Sequence, residues 1–163
     1  MRKATKVIGI IGLIMFSFVL LFAILGPQFI PYDAYKQTGP SFAAPSSEHW
    51  LGTNDMGQDI LAELAVGART SLFIGIVTAV LATAIGGIIG VLSGYIGGWF
   101  ETVVMRFIDV VLTLPFLPLM IVVAVYLGPG VFTQVFVITL VMWAGKARQI
   151  RAQPLSIKTA GPV

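Results

Sequence analysis

Charge and cysteine are scarce in this sequence. No cysteine occurs among the 163 residues, and only 10% of the residues are charged. The missing thiols exclude disulfides, a cysteine nucleophile and thiolate metal ligands. Soluble domains carry roughly 25% charged residues, whereas this chain is 57% hydrophobic and has a mean hydropathy of +0.95. The composition therefore indicates a membrane protein.

Ionisable groups are also missing from the middle of the long apolar stretches. Ion-coupled carriers and intramembrane enzymes usually place such groups there. The single histidine, His49, lies in a polar segment without a second ligand or nucleophile arranged around it, so we interpret it as an ordinary interfacial residue. We expect no enzyme activity, no metal site and no bound cofactor in this chain. A phosphate-binding G-x-x-x-x-G-K-[ST] loop is absent as well.

Three charge-free intervals, 7–32, 70–100 and 110–145, are long enough to cross a bilayer. The last one exceeds a single span and is interrupted by a Gly-Pro-Gly turn signal at 128–130. We therefore predict an all-α, polytopic transmembrane bundle of four spans, near residues 7–26, 71–94, 110–127 and 130–146. Pro115 and Pro118 are expected to kink or break the early turns of the third span.

The positions of the basic residues predict the direction of the spans. Arg2, Lys3 and Lys6 precede the first span, and further basic residues follow the fourth at Lys146, Arg148, Arg151 and Lys158. By the positive-inside rule both termini are cytoplasmic. Because the basic residues are explained by topology, the net charge of +3 does not predict a nucleic-acid partner.

The predicted outer segment, 27–70, is acidic, because its residues up to Ala68 include five carboxylates against one lysine. Asn54 or Asp55 is a candidate N-cap, and Gln58 resembles the last residue of a capping box. Ile60, Leu61 and Leu64 share one helical face, and Gly67 follows as a stop signal. We therefore expect a short interfacial helix in this loop, separate from the second span.

Small residues recur every four positions in the second span, at Ala82, Gly86, Gly90 and Gly94. This spacing lets helix backbones approach closely in lipid. We predict a packing surface here, and the pattern alone leaves open whether its partner is a helix of the same chain or of another subunit. The connection between the second and third spans contains Glu101, Arg106 and Asp109. It is either an amphipathic helix that lies along the membrane or a solvated helical face with a local ion pair.

Two motifs in this order closely resemble the permeases of dipeptide, oligopeptide and nickel ABC importers. The first is "LGTNDMGQDILAELAVGARTSL" at 51–72, and the second is "GYIGGWFETVVMRFIDVVLTLPFLPLMI" at 94–121. The resemblance extends from Val7 to Lys158. The family motif in the outer loop comprises Leu51, Gly52, Thr53, Gly57, Asp59, Gly67, Ala68, Arg69, Ser71 and Leu72. The motif of the cytoplasmic loop comprises Gly94, Tyr95, Gly97, Gly98, Met105, Arg106, Asp109 and Pro115.

The resemblance implies an importer subunit of a prokaryotic inner membrane. It implies a second permease subunit, two cytoplasmic ATPase subunits and an extracytoplasmic substrate-binding protein as partners, with ATP bound by the ATPases. The outer motif departs from the usual family pattern at three positions. Asn54 stands in place of an aspartate, Gln58 in place of the first arginine, and Glu63 near the position of the second arginine. The choice between peptides and nickel stays open at this point.

The resemblance also divides the chain. We expect an N-terminal anchor helix at 1–26, an extracytoplasmic loop at 27–70, part of a permease core at 71–158 and a truncated tail at 159–163. Members of the family continue beyond this point with a coupling helix and two more spans, so we expect a truncated permease. A small membrane adaptor or assembly partner that does not transport is the alternative.

Overall fold

The computed structural model describes residues 2–159 and the side chains of residues 6–151. Five helices account for most of this range: α1 (Arg2–Phe29), α2 (Ile60–Ile96), α3 (Gly98–Thr113), α4 (Phe116–Leu127) and α5 (Val131–Thr159). The only β pairing in the described residues is an isolated bridge between Thr53 and Asp59. The predicted all-α class is therefore confirmed.

Three helical segments are long and apolar enough to cross a membrane: Lys6–Phe29, Ile60–Ile96 and Val131–Arg151. Their side chains are largely exposed, as expected of surfaces that contact lipid. The first helix extends beyond residue 26, the predicted end of the first span, and contains Pro27. It ends at Phe29 instead, and the N–H of Ile30 donates to the carbonyl oxygen of Gly26 (3.1 Å).

The prediction of one helix at 110–127 is wrong. Helix α3 ends at Thr113, α4 begins at Phe116, and the two axes differ by 83°. Pro115 occupies the N-cap of α4 with φ −70° and ψ 109°, and it has no N–H to continue the hydrogen bonds of α3. The expected break is thereby confirmed at Pro115, whereas Pro118 lies within the first turn of α4 and does not interrupt it.

The fourth predicted helix, at 130–146, is too short. Helix α5 begins after the predicted turn, where Gly128 has φ 81°, and continues to Thr159. Its second half carries the basic residues, and a helix can leave the hydrocarbon without ending because its backbone hydrogen bonds are internal. The predicted tail at 159–163 lies, apart from Thr159, outside the described residues.

The separate interfacial helix is also contradicted. Helix α2 is continuous for 37 residues, and it passes through Gly67 without a break. An isolated glycine costs a helix only about 1 kcal/mol, which its neighbours compensate. Within this region the hydroxyl of Thr70 donates to the carbonyl oxygen of Val66 (2.9 Å).

The described chain divides into two compact units, one up to Phe73 and one from Ile74 onward, with the boundary inside α2. In the first unit α1 packs against the first turns of α2 through small residues. Ala23 and Ala65 are buried, and a Cβ placed on Gly26 would lie 3.1 Å from the Cβ of Ala65. The segment 30–59 folds as a compact loop without regular strands or helices.

In the second unit α5 packs against both α3 and α4. Ile108 of α3 and Ala144 and Ala147 of α5 are fully buried and form its core. The aromatic ring of Trp143 stacks near that of Phe107, with centroids 6.4 Å apart.

Helices α2 and α5 run parallel in this unit. A Cβ on Gly86 would meet Trp143 and Ala147, whereas a Cβ on Gly90, one turn later, would meet Ala147 and Arg151. The contacts thus advance in the same direction along both helices. The described residues have three candidate membrane spans, and a fourth if the bent α3–α4 pair is counted as one broken span.

Candidate functional site

The first half of the outer motif folds into a compact loop, residues 39–59, which backbone and side-chain contacts hold together within the first unit. We call this loop the knot, although the chain is not threaded through itself. Gly52 and Gly57 have φ values of 76° and 72°, in the left-handed region that favours glycine. A Cβ on Gly52 would lie 2.3 Å from the carbonyl oxygen of Ala43, and one on Gly57 would lie 2.3 Å from that of Gly39. Both glycines are therefore required by conformation and by space.

Thr53 ties the two sides of this knot together. Its hydroxyl accepts a hydrogen bond from the N–H of Ala43 (2.9 Å) and donates one to the carbonyl oxygen of Pro40. Its own N–H donates to the carbonyl oxygen of Ala43 (3.1 Å). The side chain is buried. A hydroxyl with both a donor and an acceptor role is needed at this position.

Asp59 joins the knot to α2. Its Oδ1 accepts from the N–H of Ala62 (2.8 Å), which is N-capping of the helix. Its Oδ2 lies 2.8 Å from Nδ1 of His49, and both side chains are buried. The predicted caps, Asn54 and Asp55, are therefore wrong: Asn54 Oδ1 instead accepts from the N–H groups of Met56 and Gln58 in a local turn.

The interpretation of His49 as an ordinary interfacial residue is also wrong. The imidazole is buried, bonded to Asp59, and packed against the ring of Tyr32 with centroids 4.8 Å apart. The partners are ten and seventeen positions away in the sequence, so no local pattern indicates them. Among the described residues, no three His, Asp or Glu side chains come together in a way that could hold a metal ion.

A second, exposed turn precedes the knot. Asp33 accepts a hydrogen bond from the N–H of Tyr35 (3.0 Å) and forms an ion pair with Lys36 (3.1 Å). The Tyr35 N–H, followed by Lys36, holds the pKa of Asp33 below its ordinary value.

The rest of the outer motif lies outside the knot. Gly67, Ala68 and Ser71 line an open surface on the first turns of α2, together with Glu63. Arg69 is exposed and Leu72 is half-buried, while Leu51 is exposed beside Trp50. The structure thus brings Gly52, Thr53, Gly57 and Asp59 together and leaves the second half of the motif on a separate helical surface.

The second motif joins α3 to α5. Gly97 and Gly98 have positive φ values of 68° and 59° and make the turn from α2 into α3. Asp109 forms an ion pair with Arg148, and Glu101 forms one with Arg151. A local ion pair was one of the two alternatives for this segment, but the observed partners of both carboxylates lie on α5.

The remaining residues of this motif have different environments. Met105 packs against the buried cluster of α3 and α5, whereas Arg106 and Tyr95 are exposed. Pro115 caps α4. A Cβ on Gly94 would meet only Cγ of Arg151, at an ordinary 3.9 Å, so Gly94 is a looser contact than Gly86 or Gly90.

The fold and the two motif regions are those of a polytopic helical membrane protein with a structured loop between its first two spans. Residues 86–161 match the family described as the binding-protein-dependent transport system inner membrane component. Residues 6–45 match the N-terminal transmembrane domain of oligopeptide transport permease C. The chain belongs to this family of binding-protein-dependent transport permeases, as its motifs predicted.

Curated relatives agree with this assignment. The chain is 36% identical over 158 residues to the dipeptide transport system permease protein of Bacillus subtilis (strain 168), covering 96% of this chain and 49% of the relative. It is 39% identical over 160 residues to the oligopeptide transport system permease protein of the same organism, covering 97% and 52%. The oligopeptide permease of Haemophilus influenzae is 35% identical over 154 residues, covering 92% and 49%. The chain thus spans about half the length of these relatives.

Proposed function

We propose that this chain acts as a membrane-spanning permease subunit of an ATP-driven, binding-protein-dependent peptide importer. The observation that carries the proposal is the similarity to dipeptide and oligopeptide permeases over 92–97% of the chain. Nickel was left open by the motifs, and the names of these relatives favour peptides. The three or four candidate membrane spans, with ion-paired and closely packed helices in the second unit, support a role as part of a membrane pathway.

The proposed partners are a second permease subunit, two cytoplasmic ATPase subunits and an extracytoplasmic substrate-binding protein. ATP-driven movement of the ATPases would rock the permease pair between inward and outward openings. Both termini are proposed to be cytoplasmic. With that orientation the whole loop 30–59, including the knot, would lie on the side of the binding protein. Reporter fusions at Ser46 and Lys158 should label opposite sides of the membrane, and labelling on one side would contradict this orientation.

Uptake into proteoliposomes tests the proposal. Vesicles are prepared with the partner permease and the ATPases, either with this chain or without it. The binding protein is added on the side of the membrane opposite to the ATPases. ATP-dependent uptake of a radiolabelled dipeptide or oligopeptide should require the chain, while labelled nickel serves as the competing substrate. Nickel uptake without peptide uptake would reject the peptide assignment.

The adaptor alternative predicts a different result in the same vesicles. An assembly partner would co-purify with the other subunits but leave peptide uptake unchanged when it is omitted. The expectation that coupling requires a helix and two spans following Lys158 stays a prediction. Comparing the 163-residue chain with a version extended through those segments tests it, and equal uptake rates would contradict it.

A further inference from the structure

Two cavities of the first unit adjoin along α1, and together we call them the α1 groove. One part, of about 360 Å³, is lined by apolar residues of α1 from Phe18 to Ile30, with Trp50 and Leu61. The other part, of about 370 Å³, has a mixed lining, in which Tyr32, Ser47 and Glu48 add polar groups to an otherwise largely apolar wall; we call it the polar part. The two parts adjoin, because they share the lining residues Phe29, Ile30, Trp50 and Leu61.

The apolar part matches one leaflet of a bilayer in length. From Phe18 to Phe29 the helix rises about 17 Å, at about 1.5 Å per residue. Half of the hydrocarbon core is roughly 15 Å thick. Because this part of α1 is a membrane span, the groove opens to hydrocarbon rather than to water.

The junction of the two parts has the character of a membrane interface. Trp50 is 72% exposed and Phe29 is 79% exposed, although both are large aromatic side chains next to a membrane span. Tryptophan is enriched at the boundary between lipid and water because its ring is apolar and its N–H is a hydrogen-bond donor. The position of Trp50 therefore places the polar part of the groove at headgroup depth.

The polar part favours a cationic group. Glu48 is exposed and makes no ion pair with a side chain in the part of the chain that the structure describes. Asp59 lines the same part, but its carboxylate is already bonded to His49. The one lysine of segment 30–59, Lys36, is paired with Asp33. An ammonium group would thus meet an unpaired carboxylate, whereas a headgroup with a net negative charge and no ammonium would be repelled by it.

We propose that the α1 groove binds an aminophospholipid, with an acyl chain along α1 and the ammonium headgroup at Glu48. A peptide also carries an ammonium group, but its backbone N–H and C=O groups need hydrogen-bond partners that the apolar walls do not offer. An acyl chain has no such requirement. Ser47 and Trp50 line this part and carry an O–H and an N–H donor, and we assign the headgroup phosphate to these two groups.

Quenching of Trp50 fluorescence tests this site in the full chain. Trp99 and Trp143 are replaced by phenylalanine, and the protein is placed in phosphatidylcholine vesicles with brominated-acyl phosphatidylethanolamine or phosphatidylglycerol. We expect about threefold tighter apparent binding of the ethanolamine lipid, as one partly exposed ion pair supplies. Glu48→Gln should abolish this preference, and Asp55→Asn, which removes an equal charge from an exposed position outside the groove, should keep it.

A second pair of variants tests the apolar end. Leu21→Phe narrows the groove and should reduce quenching by both lipids, while Leu13→Phe alters an exposed position of α1 outside the groove and should not. Equal quenching by the two lipids, or loss of the preference in Asp55→Asn, would overturn the proposal. Release of the brominated lipid by an added peptide, or by assembly with the partner permease, would assign the groove to that occupant instead.

Discussion

Replacing Gly86 of α2 by alanine should push α2 and α5 apart. The added Cβ would lie 2.6 Å from the carbonyl oxygen of Trp143, 2.7 Å from the Cβ of Lys146 and 2.9 Å from the backbone N of Ala147. Two of these three atoms belong to the backbone, so no side-chain rotation relieves the contact. Overpacking of this kind costs about 1–3 kcal/mol.

Helix propensity acts in the opposite direction. Alanine is favoured over glycine by about 1 kcal/mol in a helix interior. Gly75 supplies the matched control, because it lies in the same helix and a Cβ there would meet nothing within 4 Å. Once this gain is subtracted from the cost of overpacking, we expect Gly86→Ala to lower the free energy of unfolding by up to about 2 kcal/mol and Gly75→Ala to raise it by up to about 1 kcal/mol.

Unfolding in mixed detergent micelles, followed by circular dichroism as the denaturing detergent is increased, measures this difference. Gly90→Ala should resemble Gly86→Ala, since its Cβ would lie 2.6 Å from the carbonyl oxygen of Ala147. Gly87→Ala should resemble the control, because its Cβ would meet only Cδ1 of Ile150 at 3.7 Å. Coincident curves for Gly86→Ala and Gly75→Ala would refute the close approach of α2 and α5.

Three further predictions concern the loops. Gly52→Ala should destabilise the knot by about 2–5 kcal/mol, because it adds overpacking to the strain of a positive φ. Gly128→Ala should cost about 1–3 kcal/mol from backbone strain alone, because φ 81° and ψ 165° lie in a region open essentially to glycine, while a Cβ there would meet nothing within 4 Å. Hydrogen exchange of nearby amides measures both, and a cost at Gly52 no larger than that at Gly128 would contradict this. Asp59→Ala should cost about 2–4 kcal/mol by removing an N-cap and leaving a buried imidazole unpaired, and unchanged proteolysis of segment 30–59 would argue against it. Because the pKa of Asp33 is lowered in the folded state, its turn is stabilised at pH values above the ordinary pKa of an aspartate, and this contribution is lost as the pH falls through the lower folded pKa. In an NMR titration, Lys36→Met should return the pKa of Asp33 only part of the way to its ordinary value, since the N–H of Tyr35 is the larger cause of the shift. A full return would contradict this order of causes.

The lengths of the uncharged segments and the positions of proline and glycine between them determined much of the fold. An uncharged interval of sufficient length has no favourable environment other than a membrane or a core, so the spans were evident from 7–32, 70–100 and 110–145 without any contact information. The break before Pro115 and the turn at Gly128 were equally local, because each depends on the backbone geometry of one or two residues. The family was indicated for a separate reason: the residues of the two motifs, and the order of the motifs along the chain, resemble those of known permeases.

Tertiary structure decided what the motif residues do. Gly52 and Gly57 were part of a family pattern, but only the approach of the carbonyl groups of Ala43 and Gly39 shows why a side chain is excluded. His49 was misread because its partner is ten positions away and on the far side of a turn. Burial of the imidazole and its bond to Asp59 exist only after the loop has closed.

The same distinction applies to the membrane helices. Small residues every four positions indicated that α2 packs closely against something, since that property depends on one helix alone. The identity of the partner, the parallel direction of α5, and the ion pairs of Asp109 and Glu101 depend on how separate helices meet. A periodic pattern records which face of a helix is crowded, but the partner is chosen by contacts between residues about 40–60 positions apart, which no local periodicity encodes.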